Sequence, residues 1–247
     1  PQRAGQLALK LVAGLREHSE DHRLPLDLDA ELRPEGRSGP LARSIEAYAE
    51  YYRRWSLSWE AQALLRARGV AGSVKLIAEF MALADEVRYP ASADQNGLRE
   101  IRRIKARVEN ERLPQGADPA RHLKLGPGSL SDVEWLVQLL QLQHARAVPA
   151  MRTTSTLTAL DAAVEAGIVE VDAAQKLAAA WHLASRLRSA NTLLSGQTSD
   201  VLPADRVRLD GIGRILEYPP RSATRVEEDY LGATRRARRV FDKLFYG

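Results

Sequence analysis

The amino-acid sequence predicts a mainly α protein, in which a multi-helix bundle domain is joined to a small β remnant. Apolar residues recur at the spacing of amphipathic helices over most of the 247 residues, and several of these stretches end at glycine. Only residues 24–33 alternate apolar and polar side chains with the period of two that is typical of a strand. Proline, serine, asparagine and glycine interrupt both periodicities in residues 88–97. The sequence therefore predicts one domain over residues 1–87 and a C-terminal helical domain over residues 98–247.

The predicted strand is the stretch with the most chemistry. Apolar residues fill the even positions of residues 24–33, and Asp27, Asp29 and Glu31 fill odd positions. Pro34 ends ladder pairing, and a loop rich in glycine, serine and arginine follows. A strand with carboxylates that runs into such a loop suits a site for metal and phosphate. The alternative is an edge strand with one solvated face and an ordinary turn.

Helices are predicted on both sides of this strand. Residues 5–18 place leucines on one face of a helix. A helix over residues 45–55 follows, with Ser44 as its N-cap, and Ser58 and Ser73 are predicted to cap the next two helices.

The C-terminal region begins with a highly charged helix, which is predicted over residues 98–112. Glutamates offset many of its arginines, which favours a solvated face over a nucleic-acid-binding stripe. Residues 113–130 form a long loop rich in proline and glycine, and long loops without structure of their own are often functional.

The remainder of the chain is predicted to be helical. The first three helices of this region are predicted over residues 132–146, 156–166 and 173–195. Asp172 is the predicted cap of the third helix. A Thr224–Glu227 capping box is predicted for the last helix, which reaches Leu244.

Composition limits the function classes. The chain has no cysteine, so it cannot form disulfides or thiolate–zinc sites, and a reducing cytoplasm is expected. It has no apolar run of about 18 residues and no signal-peptide pattern at Pro1, so no membrane association is expected. The net charge of +4 is compatible with an anionic substrate. No interleaving of aromatic and basic residues indicates a nucleic-acid partner.

Several motifs together resemble those of one enzyme family. Asp29-x-x-Leu32-Arg33-Pro34-x-Gly36-x-Ser38-Gly39 resembles the D-x-x-LRP-x-G-x-x-G signature of glutamine synthetase adenylyltransferases, large bacterial multifunctional enzymes with two nucleotidyltransferase domains. The resemblance extends over nearly the whole chain from about residue 24. Further matches, in the order of the family, are Tyr51-Tyr52-x-x-Trp55, Trp59-Glu60-x-Gln62-Ala63-Leu64-x-Arg66-Ala67-Arg68, Lys124-Leu125-Gly126, Leu130-x-Asp132-Val133-Glu134-Trp135 and Gln138-Leu139-Leu140-Gln141-Leu142.

The resemblance implies a function and a first set of site residues. It implies transfer of AMP from ATP to a tyrosine of glutamine synthetase with Mg²⁺, which controls nitrogen assimilation, and a nitrogen-signalling regulatory protein as a further partner. Asp29 matches the family's third metal carboxylate, and Asp27, which has no counterpart in the motif, is a weaker metal candidate. Arg33 is a candidate phosphate contact because a guanidinium matches paired phosphate oxygens. The alternative for Arg33 is an ion pair with Glu31 or Glu35.

A second set of candidates for cofactor binding lies at Lys124, Asp132 and Glu134. Glycines before a helix can direct backbone N–H groups at phosphate, but Pro127 stands where the family has another residue and lacks an N–H. The rival interpretation is a capping box between Ser131 and Glu134 with Asp132 in the first turn, which needs no ligand.

One part of the family pattern is missing. Enzymes of this class carry a Gly-Ser followed by a D-x-D strand before the third carboxylate, and nothing before residue 24 fits. Residues 128–134 imitate that motif but are followed by helical spacing. We therefore expect a fragment that starts inside the palm of a nucleotidyltransferase domain. The motifs around residues 88–90, 100–107 and 113–119, together with Trp135, resemble the C-terminal, adenylylating half. The adenylyl-removing half and a non-catalytic helical docking module are the alternatives.

Overall fold

The computed structural model describes residues 2–17, 28–90 and 94–247, and confirms a mainly α protein. The chain forms two compact units, Pro1–Ala91 and Ser92–Gly247, which divide inside the segment 88–97. Within the described residues the regular structure is helical and contains no strand. Whether the first unit is the remnant of a nucleotidyltransferase palm stays a prediction. The α-helices are α1 (Gln2–Glu17), α2 (Ile45–Trp55), α3 (Ser58–Leu64), α4 (Val74–Arg88), α5 (Gln95–Glu111), α6 (Leu130–His144), α7 (Thr156–Glu165), α8 (Val171–Ser195), α9 (Arg206–Ile215) and α10 (Ala223–Phe241).

The strand predicted over residues 24–33 is wrong in its described part, residues 28–33. The Asp29 carboxylate accepts the N–H of Glu31 at 2.8 Å, and the Arg33 N–H donates to the Glu31 carbonyl at 2.8 Å. A short 3₁₀ helix, Gly36–Ser38, follows. These local hydrogen bonds occupy backbone groups that pairing with another strand would need. Residues 28–33 therefore form local turns, despite the alternation of apolar and polar side chains.

Helices α2, α3 and α4 form the rest of the first unit. The Ser44 side chain accepts the N–H of Ala47, which confirms the predicted N-cap of α2. Ser58 is the first residue of α3 rather than its cap, so that prediction is wrong. The Glu60 carboxylate instead accepts the N–H of Leu57 at 2.9 Å and holds the start of the helix.

The core of the second unit lies among α6, α8, α9 and α10. Helix α8 packs most extensively against α10, and the side chains of Leu187, Ile212 and Val226 in this core are 0% exposed. Gly196 ends α8 with φ of +67°, as predicted. The start of α8 was predicted incorrectly, because Glu170 is its N-cap residue and Asp172 pairs with a lysine one turn later.

The predicted Thr224–Glu227 capping box of the last helix is also wrong. Helix α10 begins after Ser222, which places Thr224 inside the helix. The Thr224 hydroxyl accepts a hydrogen bond from Arg206, and Glu227 forms ion pairs with Arg121 and Arg206. Both side chains therefore connect separate elements of the second unit instead of capping the helix.

Candidate functional site

The Asp29 segment borders an open cleft of the first unit. The cleft has a volume of about 890 Å³ and lies between α1 and the chain around residues 28–41. The Asp29 side chain is exposed, and one of its oxygens accepts the Glu31 N–H at 2.8 Å. Within the described residues Asp29 has no ion pair and its second oxygen has no hydrogen-bond partner. A cation at this oxygen would therefore displace none of the described residues.

Arg33 organises the loop that follows Asp29. Its guanidinium donates to the carbonyl oxygens of Gly39 at 3.0 Å, of Arg37 at 3.3 Å and of Ala30. Three carbonyls on one guanidinium hold the loop closed. Arg33 thus lies at the predicted site with three of its five N–H donors bound to carbonyls, and its contact with phosphate stays a prediction.

The ion pairs expected for Arg33 are formed by other arginines. Glu31 pairs with Arg37, and Glu35 pairs with Arg43. The alternative in which Arg33 pairs with Glu31 or Glu35 is therefore wrong.

The described residues of the first unit do not by themselves form a metal centre. Asp27, the weaker metal candidate, lies outside the described residues. Throughout residues 2–17, 28–90 and 94–247 no group of three or more His, Cys, Asp or Glu side chains could hold a metal ion. Asp29 can supply one carboxylate to Mg²⁺, and Mg²⁺ usually takes one or two carboxylates together with substrate phosphates.

In the second unit, Asp132 is the centre of a buried ion cluster. It lies in the first turn of α6 and is 0% exposed. One carboxylate oxygen lies 2.5 Å from the Lys105 ammonium on α5. The other accepts the N–H of Gly128 at 2.6 Å and a guanidinium N–H of Arg238 on α10 at 3.0 Å. Both oxygens are engaged and shielded from solvent, which favours a structural role over direct cofactor binding.

Two more carboxylates complete this cluster, which we define as Lys105, Glu109, Asp132, Arg238 and Asp242. Glu109 lies 2.9 Å from Lys105 and 3.0 Å from Arg238, and Asp242 lies 2.8 Å from Arg238. Burial raises the pKa of Glu109, but hydrogen bonds from Arg238 and Lys105 lower it by more, so the pKa lies below its ordinary value. Burial lowers the pKa of Arg238, and the bond to Glu109 with the Asp132 charge raises it by more. The cluster joins α5, α6 and α10.

The loop before α6 uses its own backbone donors. The N–H of Gly126 donates to the His122 carbonyl at 2.8 Å, and the N–H of Ser129 donates to the Gly126 carbonyl at 3.0 Å. The Gly128 N–H is bound by Asp132. These three amides have internal acceptors, so they do not fit a phosphate cradle.

Lys124 and Glu134, the other predicted cofactor contacts, do not join the ion cluster. Lys124 is exposed and Glu134 is half-buried, and neither has an ion pair within the part of the chain that the structure describes. The predicted Ser131–Glu134 capping box is wrong, because α6 begins after Ser129 and Ser131 is its second residue. The Ser129 hydroxyl donates to the Leu123 carbonyl, which fixes the loop to the helix start.

The ion cluster is absent from the sequence-based predictions. Lys105 and Glu109 are four residues apart on a helix, a spacing at which side chains meet, so this pair could have been found. The charged partners of Asp132 on the other helices, Lys105 and Arg238, lie 27 and 106 residues away, and no local pattern indicates them.

None of the described helices is long and apolar enough to span a membrane.

Comparison with protein-family models gives two matches. Residues 2–83 match the family of glutamate-ammonia ligase adenylyltransferase. Residues 98–245 match the family described as GlnD PII-uridylyltransferase. The two matched regions lie in the first and the second unit, respectively.

Comparison with curated proteins gives relatives along almost the whole chain. A protein of Leifsonia xyli subsp. xyli is 64% identical over 99% of this chain and 24% of its own length. Proteins of Cutibacterium acnes and Streptomyces coelicolor are each 49% identical over 98% of this chain and 25% of their own lengths. All three are described as bifunctional glutamine synthetase adenylyltransferase/adenylyl-removing enzymes. The chain spans about a quarter of the length of these relatives.

Proposed function

We propose that this chain is part of an enzyme that transfers AMP from ATP to a tyrosine of glutamine synthetase. The premise is that the chain belongs to the family of bifunctional glutamine synthetase adenylyltransferase/adenylyl-removing enzymes. The observation that carries this proposal is the 64% identity over 99% of the chain. The uridylyltransferase match of the second unit supports the broader class of nucleotidyl transfer. On the same family grounds we propose a cytoplasmic enzyme that responds to a nitrogen-signalling regulatory protein.

The proposed part of Asp29 is to supply one carboxylate to Mg²⁺. Its support is geometric, since the carboxylate is exposed at the cleft and has one oxygen without a partner in the described first unit. Mg²⁺ with ATP would supply charge neutralisation at the phosphates, and the remaining ligands would come from ATP and from residues outside the described part. Arg33 holds the following loop and, through its bond to the Ala30 carbonyl, fixes the backbone next to Asp29.

The test uses the complete enzyme, unmodified glutamine synthetase, ATP and Mg²⁺. Asp29→Asn keeps an oxygen that can accept the Glu31 N–H, so the turn should remain while the charge is lost. We expect AMP incorporation to fall by about 100-fold or more, with a melting temperature near that of the wild type. Glu31→Gln is the matched control, because Glu31 is exposed at the same cleft and is not a proposed ligand. Unchanged turnover in Asp29→Asn would refute the assignment.

The direction of the reaction and the nucleotide are tested with this chain extended upstream to complete its own nucleotidyltransferase domain, because a complete bifunctional enzyme would add and remove AMP whichever half this chain belongs to. Adenylylated glutamine synthetase with phosphate reports AMP removal, and UTP in place of ATP reports uridylyl transfer. We expect AMP addition with ATP. Removal without addition would assign the chain to the adenylyl-removing half, and transfer only with UTP would refute adenylylation.

A non-catalytic docking module remains the second candidate, because the described residues lack a complete metal centre. We expect no AMP transfer by residues 1–247 alone, because no Gly-Ser followed by a D-x-D strand precedes Asp29 in the sequence. Binding of glutamine synthetase to this chain without nucleotide or metal, together with normal turnover of Asp29→Asn in the complete enzyme, would favour the docking module.

A further inference from the structure

A groove in the second unit carries basic side chains that the ion cluster does not use. It lies between the first turn of α8 and the end of α10 with the π-helical turn that follows it, Asp242–Tyr246, and its volume is about 340 Å³. Arg236, Arg239 and Lys243 line one side of it. Arg236 and Arg239 are three residues apart on one face of α10, and Lys243 lies in the π-helical turn that follows the helix. All three side chains belong to exposed residues.

These three cations have no counter-ion in the second unit as described. Arg238, their neighbour, forms ion pairs with Glu109, Asp132 and Asp242. By contrast, none of the three groove cations has an ion pair within the described residues. Three unneutralised cations along one side of the groove produce a local positive potential that attracts carboxylates.

Two acidic residues also line the groove, and they do not neutralise it. Asp172 is paired with Lys176, the fourth basic residue of the lining. Glu170 is exposed at the N-cap of α8 and has no ion pair among the described residues. The lining therefore has four basic and two acidic side chains and remains positive.

The groove also has an apolar component. Ile168, Val240 and Leu244 line it and are half-buried, so each keeps part of its apolar surface accessible. A small inorganic anion would gain nothing from these side chains. A polypeptide segment with carboxylates on one side and apolar groups on the other would use both the cations and the apolar surface.

We propose that this groove docks an acidic, partly apolar segment of a partner protein. The proposal does not depend on adenylyl transfer, because it concerns residues distant in sequence from Asp29 and rests on the charge and shape of the groove itself. The cations would select carboxylates, and Ile168, Val240 and Leu244 would contact the apolar side chains of the segment.

The test measures binding of a labelled peptide to the full chain by fluorescence anisotropy. The probe is a peptide of about 14 residues with glutamates on one helical face and leucines on the other. We expect saturable binding that weakens between about 50 mM and about 300 mM NaCl. A peptide with glutamine in place of every glutamate, and one with serine in place of every leucine, should each bind at least about tenfold more weakly.

Charge reversal within α10 provides the matched variants. Arg239→Glu should weaken binding at least about tenfold, because it replaces a groove cation by an anion. Arg235→Glu makes the same change of net charge on the same helix. Arg235 is exposed and does not line the groove, so this variant should change the affinity for the peptide by less than about twofold. Helical content and melting temperature of both variants should match the wild type, since both positions are exposed.

Three results would overturn the proposal. The first is equal weakening by Arg239→Glu and Arg235→Glu, which would mean attraction to overall charge rather than to the groove. The second is equal affinity for the glutamate and glutamine peptides. The third is displacement of the peptide by pyrophosphate at lower concentration than by unlabelled peptide, which would identify an inorganic anion site.

Discussion

Replacement of Asp132 by asparagine isolates the charge at the centre of the ion cluster. The variant keeps the shape of the side chain and an oxygen that can accept the Gly128 N–H. It removes the negative charge that faces Lys105 at 2.5 Å and Arg238 at 3.0 Å. Lys105 is 1% exposed, so water cannot replace the lost partner.

The expected cost follows from the partners that remain. Removing one member of a buried ion pair costs about 3–5 kcal/mol, because the other charge stays buried. Lys105 keeps Glu109 at 2.9 Å, and Arg238 keeps Glu109 and Asp242, so we expect the lower end, about 3 kcal/mol. For a unit of this size that corresponds to a fall in melting temperature of about 6–12 °C.

Thermal unfolding followed by circular dichroism measures this loss, with Glu134→Gln as the control. Glu134 lies two residues further along the same helix, is half-buried and has no ion pair in the described second unit, so its variant should lie within about 0.5 kcal/mol of the wild type. Equal melting of Asp132→Asn and Glu134→Gln would refute the structural role. A complete enzyme that melts normally but loses turnover in Asp132→Asn would restore a ligand role for this carboxylate.

Two further substitutions test the same region. Gly128→Ala should cost about 2 kcal/mol or more, because φ is +74° and the added methyl group would lie 1.9 Å from the Thr234 carbonyl oxygen. Gly116→Ala is the control for backbone strain alone, because φ of Gly116 is +79° and the added methyl group would have no neighbour within 4 Å. A cost of Gly116→Ala equal to that of Gly128→Ala would refute the steric argument. Glu109→Gln should destabilise the protein in urea unfolding at neutral pH. Because the pKa of Glu109 is lowered, its stabilising bonds are complete above about pH 4.5 and are lost as the pH falls through the folded pKa. The difference in free energy of unfolding between Glu109→Gln and the wild type should therefore shrink in acid. A difference that stays constant with pH would contradict this.

The helical architecture was predictable because its signals are local. The Ser44 cap and the Gly196 stop each depend on a few consecutive residues, and both were predicted correctly. The strand over residues 24–33 failed for a related reason. Alternation over ten residues fits a strand only if another strand can pair with it, and in residues 28–33 local turns satisfy the backbone instead.

The capping box predicted for the last helix failed because its polar side chains have partners elsewhere in the tertiary structure. Thr224 and Glu227 have the spacing of a capping box, but arginines from outside the helix bind both. Asp132 was predicted in the first turn of its helix, which is correct, but its charged partners come from two other helices. Sequence spacing describes only what a side chain can reach along its own helix.

Asp29 and Asp132 show why the same residue type in two family motifs need not have the same role. Asp132 is fully buried and receives bonds from Lys105, Arg238 and the Gly128 N–H, so a ligand could bind it only after displacing these donors. Asp29 is exposed at a cleft and uses one oxygen for a local turn. Binding a cation at Asp29 would add a partner, whereas at Asp132 it would displace Lys105 and Arg238 and leave their charges without this counter-ion. Asparagine at Asp29 should therefore reduce turnover and leave stability unchanged, and asparagine at Asp132 should reduce stability first.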